Sequence, residues 1–141
     1  GKRDFNNKMK AKLSLFINRL QEGNYTFNCQ DFRDINISLL TENSLVYCDP
    51  PYLITCATYN EQNGWNDQNE RDLLAFLDNL NEREIRFALS NVLNNKGKTN
   101  DILIEWSKKY KIIRLDYDYS NSNYHIKDKT KSTEEVLIIN Y

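Results

Sequence analysis

Glycine, proline and histidine are scarce in this 141-residue sequence, and long apolar runs are absent. The four glycines (Gly1, Gly23, Gly64, Gly97) are so widely spread that no two form a glycine-rich turn. The two prolines stand side by side, as Pro50 and Pro51. No apolar run approaches the ~20 residues that a membrane-spanning helix needs. The polar opening Gly1-Lys2-Arg3-Asp4 lacks the pattern of a secretory signal. Three cysteines (Cys29, Cys48, Cys56) cannot all pair with one another, and no tight Cys/His cluster has the spacing of a zinc site. They read as reduced thiols, which predicts a cytoplasmic location and no metal. Neither sign of charge dominates: 19 basic and 20 acidic residues leave a net charge of −1. With 40% apolar and 28% charged residues, the composition is that of a folded domain and not of a disordered segment. The length fits one domain or part of one.

The charge is uneven. Six basic residues (Lys2, Arg3, Lys8, Lys10, Lys12, Arg19) face one acid (Asp4) in residues 1–19. Seven (Lys108, Lys109, Lys111, Arg114, Lys127, Lys129, Lys131) face three (Asp116, Asp118, Asp128) in residues 106–132. Basic ends around an acidic middle suit a polyanion held at the flanks. Solvated helix faces and a charged loop are the plainer reading of each cluster alone.

Met9, Leu13, Phe16, Ile17 and Leu20 recur at helical spacing ahead of Gly23, which predicts an amphipathic helix over 8–21. Alternation of Tyr25, Phe27 and Cys29 predicts a strand over 25–30. A short buried strand is expected over 44–48, ended by Asp49-Pro50-Pro51-Tyr52, because two prolines continue neither a ladder nor a helix. A polar loop over 55–69 leads to a capping-box spacing, Asp67 and Glu70, and a helix over 68–80. Then come a strand over 85–90, a turn over 94–98, a helix capped by Thr99, a strand over 111–117, a polar loop over 118–133 and a final strand over 134–140. That last strand is apolar enough to be central in a sheet. Alternating strands and helices predict an α/β fold with a mostly parallel sheet and a closing pair joined by a loop. In such sheets ligands sit beyond the C-terminal strand ends, where Asp31-Phe32, Asp49-Pro50-Pro51-Tyr52 and Ser90-Asn91 fall.

The proline tetrapeptide carries chemistry. A given four-residue string occurs by chance in a chain this long with a probability on the order of one in a thousand, and its place after a buried strand adds weight. The exocyclic amine of a nucleobase is a poor nucleophile because its lone pair is delocalised into the ring. Two acceptors at its two hydrogens restore that lone pair. The Asp49 carboxylate is one. The Pro50 carbonyl is the other, its direction restricted by the proline that follows. Acceptors aimed at charge developing on nitrogen act by preorganised electrostatics, and Tyr52 offers a flat face for a base taken out of the helix. The plainer alternative is a tight proline turn with Tyr52 packed in the core.

The stretch VYCDPPYLITCATYN…GWN…ERDLLAFLDNLNEREIRFALSNV, with GKRDFNNKMKAKL, FNCQDF and YDYSNSNYHIKDKTKSTEEVLIINY, resembles the D12 class of adenine-specific DNA methyltransferases, the Dam type. The resemblance runs over essentially the whole chain. It implies a partial Rossmann-like S-adenosylmethionine-dependent methyltransferase sheet, helices on both faces, and methyl transfer to N6 of a flipped adenine in double-stranded DNA. Asp49, Pro50, Pro51 and Tyr52 match the catalytic motif. Asp31 and Phe32 match the pair that contacts the adenine ring of the donor, with Asp49 also beside the donor. Asn91 falls in the motif at the active-site rim. Tyr117, Tyr119, Asn121 and Tyr124 match a late aromatic block lining the base pocket, and Lys129 and Lys131 are placed to contact phosphates. His125 lacks an obvious partner and is not assigned as a base.

The departures are as informative. Family members carry upstream a glycine-rich turn for the donor's methionine end, an acidic residue for its ribose, and a target-recognition domain. None is in this sequence, so the chain is expected to be the C-terminal catalytic part of the domain, with its first strands missing, weak in donor binding and inactive by itself. An exposed strand edge in such a piece predicts self-association. A partner restriction endonuclease and the recognition sequence stay open. So do two other readings: an RNA or cytosine amino-methyltransferase sharing the motif, and a non-catalytic nucleic-acid-binding module.

Overall fold

A computed structural model describes residues 5–55, 64–115 and 133–141. The chain divides into two compact units, Gly1–Asp31 and Phe32–Tyr141.

The first unit carries helix α1, Asn7–Glu22, within one residue of the expected bounds at either end. The Asn6 side chain caps it by accepting from the Met9 N–H at 3.0 Å, and the Gly23 N–H closes it on the Arg19 carbonyl. The strand expected over 25–30 does not form. Tyr25 and Phe27 are 56% and 80% exposed, so alternation alone supplied neither a ladder nor a buried face.

The second unit is a mixed α/β structure. Short 3-10 turns, Phe32–Asp34 and Ile37–Leu39, precede strand β1, Leu45–Cys48. Helix α2, Asp67–Glu82, follows, then strands β2 (Arg86–Asn95) and β3 (Lys98–Thr99), helix α3 (Asp101–Ser107), and strands β4 (Lys111–Arg114) and β5 (Thr133–Ile139). Two helix starts lie one residue from the expected caps: Asn66 accepts from the Gln68 and Asn69 N–H groups, and Asn100 from that of Leu103. Asp67 then sits in the first turn of α2, where a negative charge complements the helix dipole.

The sheet order is β1-β2-β5-β4, with β3 paired to β2 as a hairpin. The expectation of a mostly parallel sheet is corrected here. Among the described residues only β1 and β2 pair in parallel; the β2–β3, β2–β5 and β4–β5 ladders are all antiparallel. The cause is the last strand. Val136, Ile138 and Ile139 are buried, and burying them places β5 between β2 and β4, separating two strands that point the same way. Its central position is the one its apolar sequence suggested.

The core lies on one sheet face. Phe87, Leu89 and Leu93 of β2 and Val136 and Ile138 of β5 meet Leu73, Leu74, Leu77 and Leu80 of α2 and Leu103 of α3. Both helices of this unit therefore pack on the same side. Strand alternation turns Leu45, Tyr47 and Ile113 to the opposite side, where they remain exposed. Among the described residues no helix is long and apolar enough to cross a membrane.

Candidate active site

Strand β1 delivers the tetrapeptide to the edge of the second unit. Pairing of Cys48 with Leu89 is its last ladder contact, and Pro50 and Pro51 follow. The chain then closes a tight turn in which the N–H and hydroxyl of Thr55 both donate to the Tyr52 carbonyl, each at 3.1 Å. Asp49, Pro50, Pro51 and Tyr52 line an open cavity of about 350 Å³. The Asp49 side chain is exposed and faces this cavity; it is not consumed in an internal salt link among the described residues.

Tyr52 donates its hydroxyl to Oδ1 of Asp49 at 3.3 Å. Burial, reinforced by the Asp49 charge and this hydrogen bond and then by Glu135 and Tyr47, pushes the Tyr52 hydroxyl up to about 12. The phenol thus stays protonated near neutral pH and acts as a donor. A carboxylate offers about four lone-pair directions, so Asp49 retains acceptors for a ligand. Next in sequence, Cys48 is half-buried, and desolvation pushes its thiol up to about 11. Such a thiol is a poor nucleophile; Cys29 and Cys48 are both free.

Phe32 is half-buried, with ring centroids 6.1 Å from Trp65 and 6.0 Å from Phe76. The Arg33 guanidinium lies 4.5 Å from the Phe32 ring centre and is anchored to Asp72 and Asn69. That contact holds the Asp72 carboxyl below its ordinary value. Asp31 is exposed at the end of the first unit. Asn91 is not brought to the rim. It is 1% exposed, donates to Glu70 Oε1 at 3.2 Å and accepts from the Val92 N–H at 2.8 Å, which leaves it no surface for a substrate. Tyr117, Tyr119, Asn121, Tyr124, His125, Lys129 and Lys131 lie outside the described residues.

Two features escaped sequence reasoning. Glu70, read there as half of a capping box, is a fully buried carboxylate. It accepts from Trp65 Nε1 at 2.5 Å, Asn100 Nδ2 at 2.9 Å and Asn91 Nδ2, tying α2 to β2, to the start of α3 and to the segment before α2. Tyr47, beside the motif in sequence, shares a 2.8 Å hydrogen bond with Ser90 Oγ across the β1–β2 pair. No local pattern marks either. The described members of the second basic cluster are largely spent internally: Lys108 pairs with Glu105, Lys109 with Asp78 and Arg114 with Glu134.

The sequence profile of the D12 class N6 adenine-specific DNA methyltransferases matches residues 1–121. The chain belongs to this family. It is 49% identical to the type II methyltransferase M.FokI of Planomicrobium okeanokoites over 97% of its own length and 22% of that protein. To the modification methylase StsI of Streptococcus sanguinis it is 43% identical, again over 97% and 22% of the two chains. To the modification methylase LlaI of Lactococcus lactis it is 36% identical over 75% and 17%. The chain thus spans about a fifth of the length of the first two relatives. Within this D12 chain the tetrapeptide follows β1 and lines the cavity described above.

Proposed function

We propose that this chain supplies the catalytic part of a methyltransferase that moves a methyl group from S-adenosyl-L-methionine to N6 of an adenine in double-stranded DNA. The observation that carries this reading is the cavity at the end of β1, walled by Asp49, Pro50, Pro51 and Tyr52 with the carboxylate exposed to it. Its volume, about 350 Å³, is at the low end for ligand pockets. That size and its lining suit a base and the reacting end of the donor. Asp31 and Phe32 are the residues assigned to the donor's adenine ring. When bound, the donor supplies a methyl group made electrophilic by the positive sulfur.

The chain's own residues account for the rest. Asp49 and the Pro50 carbonyl accept the two amine hydrogens and draw the nitrogen toward tetrahedral geometry, which returns its lone pair for attack. The Tyr52 ring stacks on the extruded base, and its hydroxyl steadies Asp49. As the N–C bond forms, the carbon–sulfur bond breaks and its electrons stay on sulfur. The surplus proton on nitrogen passes to solvent. Tyr119, Asn121 and Tyr124 are assigned to the pocket wall and Lys131 to phosphate.

On this reading the chain is the later part of a Rossmann-like methyltransferase sheet. It works in the cytoplasm, and its modification pairs with a restriction endonuclease of the same specificity. The relatives named as modification methylases support that role. The test is transfer of labelled methyl from the donor to duplex DNA by the protein at its natural length, followed by nucleoside analysis. N6-methyladenine is the expected product. Methylated cytosine, or label in RNA alone, would refute the assignment.

A further inference from the structure

The β2–β3 hairpin stands next to the segment that leaves the tetrapeptide. Its turn is Lys96-Gly97, with φ of 53° and 86°, the pair of positive values that a tight two-residue hairpin requires. Asn94 Oδ1 accepts from the Gly97 N–H at 3.3 Å and steadies the turn. A side chain added at Gly97 would meet nothing within 4 Å, so the tip projects into open space.

The base of the hairpin is fixed. Asn95 Nδ2 donates to the Ile54 carbonyl at 3.5 Å, and Asn95 Oδ1 accepts from the Thr133 hydroxyl at 2.9 Å. A cavity of about 240 Å³ lies between them, lined by Ile54, Thr55, Asn95, Lys96 and Lys98. Its two charged residues are both basic. Among the described residues neither lysine forms an ion pair. Lys98 also borders an adjoining cavity, which shares Ile54 and Thr55 with the first and is lined by Asp67 and Asp101.

Thr55 is three residues beyond Tyr52, at most about 11 Å of chain. A strand of DNA carries one phosphate per roughly 3.4 Å of axial rise. If a base enters the tetrapeptide cavity, phosphates of the same strand fall within reach of the hairpin. We propose that Lys96 and Lys98 grip a backbone phosphate of the strand that carries the extruded base, close to that base. Contacts of this kind position a duplex without reading its sequence. The inference rests on the proposed DNA-methylating activity and adds to it a strand-positioning element.

The experiment compares the wild-type protein at its natural length with Lys96→Ala/Lys98→Ala and Lys96→Arg/Lys98→Arg, binding a cognate duplex across a salt series. The alanine pair should bind about 5–10-fold more weakly at moderate salt, and its log–log salt slope should be shallower by about one. KM for DNA should rise by the same factor while kcat and donor affinity hold. The arginine pair should bind as the wild type does, and matching thermal midpoints exclude misfolding. If the wild type methylates DNA and the alanine pair keeps its affinity and slope, the phosphate contact is refuted and the activity stands. If the wild type transfers no methyl to DNA, both fall.

Discussion

The hydroxyl of Tyr52 reaches Oδ1 of Asp49 at 3.3 Å, which joins the aromatic ring and the carboxylate that line one cavity. The aromatic ring and the hydroxyl therefore have separable duties. Tyr52→Phe keeps the face and loses the tether, whereas Tyr52→Ala loses both. In the protein at its natural length, Tyr52→Phe should lower kcat modestly and Tyr52→Ala more severely. Steady-state kinetics on duplex DNA would check the order, and equal losses would show that the face contributes nothing.

On the proposed mechanism, Asp49→Ala removes one of the two acceptors for the amine. Methylation should become undetectable, with donor affinity within a few-fold of wild type by titration calorimetry. A near-normal rate would mean that the nitrogen is activated by some other group.

Glu70 tests the scaffold behind the site. Replacing it with alanine removes the acceptor of two buried N–H donors, on Asn91 and Asn100, and of the half-buried Trp65 indole N–H. An unsatisfied buried donor costs ~1–3 kcal/mol, so Glu70→Ala should lose roughly 3 kcal/mol or more in a urea titration. Glu70→Gln should lose less, because its one carbonyl oxygen still accepts while its amide opposes a donor.

Glu84 sits after α2 with φ of 58°, while the Ile85 N–H closes the helix on the Leu80 carbonyl at 2.9 Å. This left-handed position favours glycine. Because an L-residue there costs about 1 kcal/mol, Glu84→Gly should raise the unfolding midpoint by a few degrees in a thermal melt.

The Cys48 thiol, raised from its reference value of 9.0 to about 11, sets a pH dependence. The folded state holds this proton more tightly than the unfolded state. The contribution to stability is therefore complete below pH 9 and is lost as pH rises through about 11. At pH 8 iodoacetamide should label the exposed Cys29 well before Cys48, as peptide mass mapping would show.

Much of the local structure was legible in the sequence. Helix α1, both later helices, the short strand before the proline pair, the turn around Gly97 and the apolar last strand all follow from short-range signals. Periodicity, capping side chains and proline geometry act within about four residues, so a sequence displays them directly. The tetrapeptide stands out for the same reason: its four residues are adjacent in the chain.

The tertiary structure alone decided the rest. Residues 25–30 alternate like a strand yet form none, and β5 enters between β2 and β4 to make most ladders antiparallel. Asn91 looked like a rim residue and became the buried partner of Glu70, 21 positions away. Tyr47 met Ser90 across 43 positions and Asn95 met Ile54 across 41. Pairing between distant segments is selected by the total burial of the sheet faces, and that sum leaves no mark on any one stretch of residues.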